Sequence, residues 1–317
     1  MPFSPRQRCI EIMQNNATDS KYLKLKTQLS LHAMMVPGIL LALVFSIVPL
    51  AGIVMAFEKY DPAKGIFGSQ WVDIYNFKLL FGRDDFLATT RNTVVIALWK
   101  IVLNSSLSIL LALLINEIQH KTLKKSIQTI IFLPYFLSWV LLGNIMVEMF
   151  STTGSVNLLL EKFGVEANSW ITSNKYFRPI VIVTDVWKTV GYQVVVFLAA
   201  ITGIDPSLYE AGKIDGASNT RLCLHITIPG IMSMIVLTCI LKIGNIMNAG
   251  FEQILVMYNP SVYATGDILD TMSYRLGLTD LNFSMGTAIG LFKSVISCAF
   301  FAASYFIAYK VKDYRIF

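Results

Sequence analysis

Two long runs of uncharged residues constrain this chain more than any other feature. Residues 27–57 form a run of 31 without Asp, Glu, Lys or Arg, and residues 126–147 form a second run of 22. An α-helix needs about 20 mostly apolar residues to cross the hydrocarbon of a bilayer. Hydrophobic residues make up 55% of the sequence and charged residues only 15%, too few for a soluble globular surface. The chain is therefore predicted to be an all-α integral membrane protein.

Four further apolar stretches reach the length of a span if each is allowed one or two buried charges. The predicted organisation is a cytoplasmic N-terminal segment over 1–29, a transmembrane domain over 30–310 and a cytoplasmic tail over 311–317. The six predicted spans cover residues 30–57, 92–116, 126–150, 177–201, 229–250 and 286–310. The first stretch is too long for the core of a signal peptide, and no small-residue cleavage site follows it, so we expect it to be retained.

The distribution of positive charge predicts which side of the membrane each terminus faces. Lys and Arg number 13 in the predicted inner segments and 9 in the outer ones, and such residues are retained on the cytoplasmic side. We therefore expect a multi-pass protein of the cell membrane with both termini in the cytoplasm. This rule, with anionic lipid headgroups nearby, accounts for the net charge of +6 without any binding of nucleic acid.

Three segments on the predicted outer side differ in character. Residues 58–91 are rich in turn signals and aromatic side chains, which predicts a small ordered cap. Gly154 opens a turn into a short amphipathic helix, which at that length is expected to lie at the membrane interface. Residues 251–285 are long and polar, and we expect them to cover the mouth of whatever the spans enclose.

The inner segment over 203–228 is too long and too patterned for a plain connector. Asp205, followed by a proline, is a good N-cap, so a helix is predicted to begin there and to end near Gly216. A second short helix is predicted to follow a cap at Ser218 or Asn219. Two such helices would form a compact projection whose small residues let another backbone approach closely. The alternative is an amphipathic hairpin that lies on the headgroups.

The residues of this segment also carry a family resemblance. They include Glu210-Ala211-Gly212, Asp215-Gly216-Ala217 and, after eight further residues, Ile226-Thr227-Ile228-Pro229. This pattern resembles the EAA loop in permease subunits of binding-protein-dependent ATP-binding-cassette (ABC) importers, with Gly212 and Ile228 in place of Ala and Leu. Other segments are similar to the sugar branch of that family, especially its polysaccharide or complex-oligosaccharide members; these are 65–69, 91–93, 132–134, 185–191 and 203–205.

The resemblance implies an ABC importer permease architecture, type I and MetI-like, with a cytoplasmic coupling-helix loop. It also implies uptake of oligo- or polysaccharides by alternating access. The implied partners are membrane lipid, a second homologous permease that differs from this chain, two ATPase subunits and an extracytoplasmic solute-binding protein. By the same resemblance, the residues that couple to the ATPase are Glu210, Ala211, Gly212, Asp215, Gly216 and Ala217.

The chain itself is expected to catalyse no reaction and to hold no metal or cofactor. It lacks the GxxxxGK[ST] pattern of a nucleotide-binding loop and has no HExxH or GxSxG motif. ATP and Mg are therefore expected in the partner ATPase subunits.

Ionisable residues inside the predicted spans supply a second set of candidates, because such residues usually face a bundle interior or water. Each falls on a polar stripe at helical spacing. The candidate translocation path comprises Lys100, Asn104, Asp185, Lys188, Tyr192, Lys242, Asn245, Asn248 and Lys293. A path lined by this net positive layer would favour acidic, uronate-containing saccharides. The alternative is that Asp185 pairs with Lys188 while the other lysines extend to the interface or satisfy backbone groups.

Two other functions stay open at this stage. An ion-coupled secondary transporter would use Asp185 as its coupling carboxylate and would not depend on ATP. A non-transport membrane scaffold or receptor would use the inner projection to bind a different cytosolic partner.

Overall fold

The structure, a computed structural model, describes Gln28 and residues 31–312, apart from the side chains of residues 308, 311 and 312. The predicted N-terminal segment over 1–29, except Gln28, and the last five residues of the predicted tail lie outside the described residues. The chain divides after Val54 into two compact units.

The described part of the first unit is the greater part of helix α1, Leu31–Phe57, which has a mean hydropathy of 2.7. The helix changes to a π-helical turn over Leu43–Ile47 and then to a 3-10 helix over Val48–Phe57. All side chains from Leu31 to Ala51 are exposed within this chain. A helix that is apolar on every face needs lipid or other membrane helices around it.

The second unit opens on a small antiparallel hairpin, in which β1 (Glu58–Lys59) pairs with β2 (Gln70–Trp71). The helices that follow α1 are α2 (Gly65–Gly68), α3 (Tyr75–Phe81), α4 (Asp84–Glu117), α5 (Lys121–Phe132), α6 (Trp139–Met149), α7 (Ser155–Glu161), α8 (Phe177–Thr202), α9 (Pro206–Ile214), α10 (Asn219–Leu222), α11 (Ile228–Gly230), α12 (Met232–Gly244), α13 (Phe251–Met257), α14 (Tyr263–Gly266), α15 (Leu269–Tyr274) and α16 (Phe283–Lys312). Shorter 3-10 or π turns cover Leu133–Phe136, Cys223–Thr227, Pro260–Val262 and Arg275–Thr279. The hairpin with α2 and α3 forms the ordered cap that turn signals predicted, and α7 is the predicted short helix after Gly154.

Four helices in the described part of the chain, α1, α4, α8 and α16, are long and apolar enough to cross a membrane. Two bent pairs raise the number to six: Lys121–Phe136 with Trp139–Met149, bent by 96°, and Asn219–Gly230 with Met232–Gly244, bent by 56°. Each predicted span overlaps one of these six elements.

The elements differ from the predicted spans in two respects. Helix α4 begins at Asp84, eight residues before the expected start, and its first turn carries two acidic side chains, which stabilise a helix N-terminus. The third and fifth spans are broken rather than straight. Pro134 and Pro229 lie within three residues of the two breaks, and proline removes a helical hydrogen bond and clashes with the preceding turn.

Two apolar clusters make up the core of the second unit. The larger includes Ile96 of α4 and Val181 of α8, together with α13 to α16. The smaller joins Ala112 of α4 and Phe197 of α8 to the start of α12. Helices α4 and α8 therefore carry apolar side chains toward both ends, and the polar stripes predicted on each of them lie between the two clusters.

The segment between α12 and α16, expected to be a polar cover, belongs largely to the core. Ile254, Ile268, Leu269 and Met272 are fully buried. Its helices are short and mix apolar with polar residues, so none of them is long enough to be recognised as a buried element from the sequence. The fold thereby brings Gln253 and the carboxylates of this segment against the spans.

Candidate functional site

A cavity of about 400 Å³, here called the central cavity, lies among α4, α8 and α12, beside the 3-10 turn that follows α5 and the non-helical segment over 245–250 that follows α12. Its volume is at the lower end of the range for small-ligand sites, roughly 300–1,000 Å³. Its lining consists of Ala97, Lys100, Ile101, Asn104, Tyr135, Asp185, Thr189, Tyr192, Gln193, Lys242, Asn245, Asn248 and Gly250.

Seven of the nine residues of the candidate path lie on this lining. They are Lys100, Asn104, Asp185, Tyr192, Lys242, Asn245 and Asn248. The remaining two, Lys188 and Lys293, are not among the lining residues. The fold therefore brings together side chains from three different spans that the sequence could only place on separate stripes.

The Lys100 ammonium is the best-satisfied charge in the cavity wall. Its Nζ lies 3.2 Å from Asp185 Oδ1 and donates to the carbonyl of Ala249 at 2.8 Å and to Gln253 Oε1 at 2.6 Å. The expectation that Asp185 pairs with Lys188 is therefore wrong. Lys188 is only one turn from Asp185 on the same helix, but Lys100 reaches the carboxylate from the neighbouring helix.

Lys242 is held differently. Its Nζ donates to Asn104 Oδ1 at 2.7 Å and to Ser105 Oγ at 3.2 Å. Within the described residues, no carboxylate lies within 4.0 Å of this ammonium. Because Lys100 and Asp185 neutralise each other, the central cavity carries a net charge of +1, located at Lys242.

The two lysines outside the lining have other partners. Lys188 donates to the carbonyl of Tyr135 at 3.1 Å and lies over the rings of Tyr135 and Trp139 at 5.4 and 5.3 Å from their centroids. Lys293 pairs with Asp270 at 2.5 Å. The expected layer of four positive charges is thus reduced, because Asp185 and Asp270 each neutralise one lysine.

The central cavity also has an aromatic wall and one unused donor. The rings of Tyr192 and Tyr135 stack at 4.9 Å with an interplanar angle of 14°. Gln193 is buried, and its Nε2 has no hydrogen-bond partner among the described residues. Buried amide groups nearly always have a partner, so a polar group of a ligand would complete this one.

The non-helical segment after α12 shapes the central cavity through Gly250. This residue has φ +97°, a conformation that a side chain disfavours, and an added Cβ would lie 2.7 Å from the Lys100 ammonium. Glycine is therefore required for Lys100 to reach the carbonyl of Ala249.

The inner segment forms the two predicted helices, α9 and α10, here called the inner hairpin. Asp205 caps α9 by accepting from the backbone N–H of Ser207 at 2.9 Å, and Ser218 caps α10 by accepting from that of Arg221 at 3.4 Å. Gly216 has φ +74° between them. The predicted caps and the predicted glycine break are confirmed. The hydrogen bond from the Ser207 backbone lowers the pKa of Asp205.

Gly212 has a local role in this hairpin that the sequence did not indicate. An added Cβ would lie 2.6 Å from Leu222 Cδ2, so Gly212 lets α9 pack against α10. Tyr209 and Thr227 hydrogen-bond across the same contact at 2.9 Å between their hydroxyl oxygens. The Gly at this position therefore faces the second helix of the hairpin.

The other candidate coupling residues lie mainly on the outside of the hairpin. Glu210, Ala211, Asp215 and Gly216 are exposed, and Ala217 is half-buried. Leu208 and Ile214 are exposed beside them, Ile214 by 86%. A mixed charged and apolar face of this kind suits contact with another protein.

Sequence reasoning missed several residues of the site. Gln253 links Lys100 to α8, since its Nε2 donates to the carbonyl of Val181 at 2.8 Å and to Thr184 Oγ1 at 2.9 Å. Asp270 is the partner of Lys293. Both lie in the segment that the sequence predicts to be a cover, and no local signal in the sequence marks them as partners of lysines in the spans.

A polar cavity among membrane-spanning helices, with broken helices beside it, defines a membrane transport protein. The chain belongs to the family described as binding-protein-dependent transport system inner membrane component, whose model matches residues 105–313. The expected ABC importer permease fold and function are thereby confirmed, and this is a multi-pass membrane protein. The ion-coupled transporter and the scaffold find no support in these comparisons.

Individual relatives agree with the family. The polygalacturonan/rhamnogalacturonan transport system permease protein YteP of Bacillus subtilis (strain 168) is 39% identical over 275 residues, 86% of each chain. A solved bacterial ABC transporter involved in the import of the acidic polysaccharide alginate aligns with a TM-score of 0.85 and 33% identity, over 92% of this chain and 99% of the other. A bacterial alginate ABC transporter in complex with alginate pentasaccharide-bound periplasmic protein aligns with a TM-score of 0.84 and 33% identity, over 92% of this chain and 97% of the other.

Proposed function

We propose that this chain is the permease of an importer for acidic oligosaccharides, and that the central cavity holds a saccharide carboxylate at Lys242. The observation that carries this proposal is the Lys242 ammonium, which lies in a cavity within the spans and has no carboxylate partner among the residues that the structure describes. A charge removed from water is costly unless it is paired. A uronate carboxylate would supply the missing partner.

The neutral part of the site also suits a saccharide. Asn245 and Asn248 offer amide groups to sugar hydroxyls, and the stacked pair of Tyr192 and Tyr135 offers an aromatic wall. The names of the relatives support the same class of substrate, since one carries polygalacturonan and the solved transporters carry alginate. Both are acidic polysaccharides.

The inner hairpin is proposed to dock on a separate ATPase subunit. Its exposed Glu210 and Asp215 would pair with basic groups there, and Leu208 and Ile214 would fill apolar depressions. Two ATPase subunits would bind ATP and Mg, and their closure would move the hairpin and switch the spans between inward-facing and outward-facing states. In this proposal the hairpin and both termini face the cytoplasm.

Two further partners complete the proposed importer. A second, homologous permease would close the translocation path on the other side of the central cavity. A solute-binding protein outside the cell would deliver the saccharide, as the alginate transporter in complex with its saccharide-bound periplasmic protein suggests.

The test of the carboxylate site is Lys242→Met, with uptake measured for acidic and neutral oligosaccharides of equal length in proteoliposomes that contain the whole importer. Hydrogen bonds to charged groups contribute about 1.5–3 kcal/mol, so the KM for the acidic substrate should rise about tenfold to a hundredfold. The KM for the neutral substrate should change little. Lys242→Arg should retain most of the preference, and equal losses on both substrates would remove the charge argument.

The test of the docking role is Glu210→Lys, with Glu161→Lys as the matched charge reversal on the exposed end of α7. The first variant should lose co-purification with the ATPase and saccharide-stimulated ATP hydrolysis, whereas the second should retain both. Normal recovery of the ATPase with Glu210→Lys would count against docking through this hairpin.

A further inference from the structure

A second cavity of about 370 Å³ is lined by none of the candidate path residues. It lies between α13, α15 and the start of α16. Its lining consists of Phe251, Asp270, Ser273, Tyr274, Gly277, Leu278, Phe283, Gly286 and Thr287. We call it the α16 cavity.

Two consecutive residues of the chain belong to the two different linings. Gly250 lines the central cavity and Phe251, the next residue, lines the α16 cavity. The α16 cavity includes Phe283 at the start of α16, on the predicted outer side. A linear molecule that passes from the outside to the central cavity would therefore meet the α16 cavity first.

The α16 cavity has the chemistry of a sugar site. Tyr274 is 40% exposed and packs against Phe251, with 5.7 Å between ring centroids. Aromatic faces of this kind stack on the apolar faces of sugar rings. The hydroxyls of Ser273 and Thr287 donate to backbone carbonyls, so their free lone pairs can accept from sugar hydroxyls.

The charge of the α16 cavity differs from that of the central cavity. Lys293 neutralises Asp270 through Asp270 Oδ1, and Asp270 Oδ2 has no hydrogen-bond partner among the described residues. The Oδ2 atom is itself buried, and the ion pair leaves the α16 cavity neutral. This environment favours hydroxyl groups over a second carboxylate.

We propose that the α16 cavity is an additional saccharide subsite, which holds one sugar of an oligosaccharide on Tyr274 while another sugar occupies the central cavity. This inference rests on the proposed function and extends it. It implies that recognition depends on chain length, because a saccharide confined to the central cavity never reaches Tyr274.

The test compares Tyr274→Leu with Tyr274→Phe in the reconstituted importer, with a ladder of neutral and uronate-containing saccharides from two to six sugars. Tyr274→Leu should raise KM about threefold to tenfold for the longer members and leave the disaccharides unchanged. Tyr274→Phe, which keeps the ring, should behave like the parent. Phe67→Leu, which removes a fully exposed ring that belongs to neither lining, is the matched control.

A second measurement covers the case in which Tyr274→Leu fails to assemble. Leu278→Cys places a thiol on the exposed part of the lining, and its labelling by a membrane-impermeant maleimide is compared with that of the parent importer. Tetrasaccharides and longer chains should slow this labelling, and disaccharides should not.

Three results would overturn the subsite: an equal rise in KM for all lengths, no rise for any length, or labelling of Leu278→Cys that no saccharide slows. These outcomes are separate from failure of the carboxylate site, which is measured as the difference between acidic and neutral substrates at one length. A length effect that persists without an acid preference would leave the α16 cavity in place and remove only the role of Lys242.

Discussion

The close crossing of α5 and α8 makes Gly191→Ala an informative perturbation of this permease. An added Cβ at Gly191 would overlap the carbonyl of Ile131 and the Cα of Phe132, which are backbone atoms. Backbone cannot rotate away as a flexible side chain can, so the two helices must separate. Overpacking of this kind costs about 1–3 kcal/mol.

The stabilisation that opposes this overpacking cost is smaller. Replacing Gly by Ala inside a helix contributes about 0.8–1 kcal/mol through backbone entropy. Gly290 of α16 shows that gain alone, because an added Cβ there meets no atom within 4 Å. Gly143 of α6 is intermediate, since its added Cβ would meet the side chain of Val256 at 2.8 Å. The structure therefore ranks the three variants, with Gly290→Ala the most stable and Gly191→Ala the least.

The assay is thermal denaturation of the purified importer in detergent. The measured quantity is the loss of its monodisperse peak in size-exclusion chromatography as the temperature rises. Gly191→Ala should lower the midpoint and Gly290→Ala should hold or raise it. Saccharide uptake should fall with Gly191→Ala as well, because Tyr192 on the cavity wall is the next residue. A midpoint for Gly191→Ala equal to or above that of Gly290→Ala would refute the proposed backbone contact.

Two other predictions follow from single contacts. Removing one partner of a buried ion pair costs about 3–5 kcal/mol, so Lys100→Met and Asp185→Leu should each destabilise the importer strongly, and the double variant by less than the sum; strict additivity in denaturation would show that the pair at 3.2 Å does not form. Because the pKa of Asp205 is lowered in the folded chain, its cap on α9 should be complete above the ordinary value near 3.8 and be lost as pH falls through the lowered pKa. Hydrogen exchange of the α9 amides should therefore be faster in Asp205→Ala at neutral pH and equal to the parent in strong acid, and a difference that persists in acid would contradict the role of the carboxylate.

The parts of this fold that could be predicted depend on neighbours in the chain. The uncharged run over 27–57 identifies a span because a bilayer needs about 20 apolar residues, whatever else the chain does. The sequence predicts Asp205 as one cap and either Ser218 or Asn219 as the other, because a cap satisfies the N–H groups of its own helix, two or three residues away. Gly216 could be recognised as the break because a left-handed φ is a local demand.

The parts that could not be predicted depend on residues far apart in sequence. Asp185 pairs with Lys100 of the neighbouring helix and not with Lys188 of its own helix. Helical spacing alone cannot decide between these two partners. Likewise, Lys293 is neutralised by Asp270, which lies in a segment whose short helices give no clear apolar period. Charge counting within spans therefore overestimates the charge of a cavity unless the partners from other elements are known.

The contacts between the inner hairpin and the central cavity indicate how motion at one could reach the other. Gly212 packs on Leu222 within the hairpin, and an added Cβ at Gly230 of α11 would lie 2.7 Å from Ile204 at the start of the hairpin. Helix α12 follows α11 and ends at Gly244. In the non-helical segment after it, the carbonyl of Ala249 accepts a hydrogen bond from Lys100. The steps of this route are side-chain contacts on two glycines, helix α12 and a hydrogen bond to Ala249 in the non-helical segment over 245–250. If the proposed ATPase subunit docks on the hairpin, contacts of this kind would have to carry a displacement of the hairpin to the cavity.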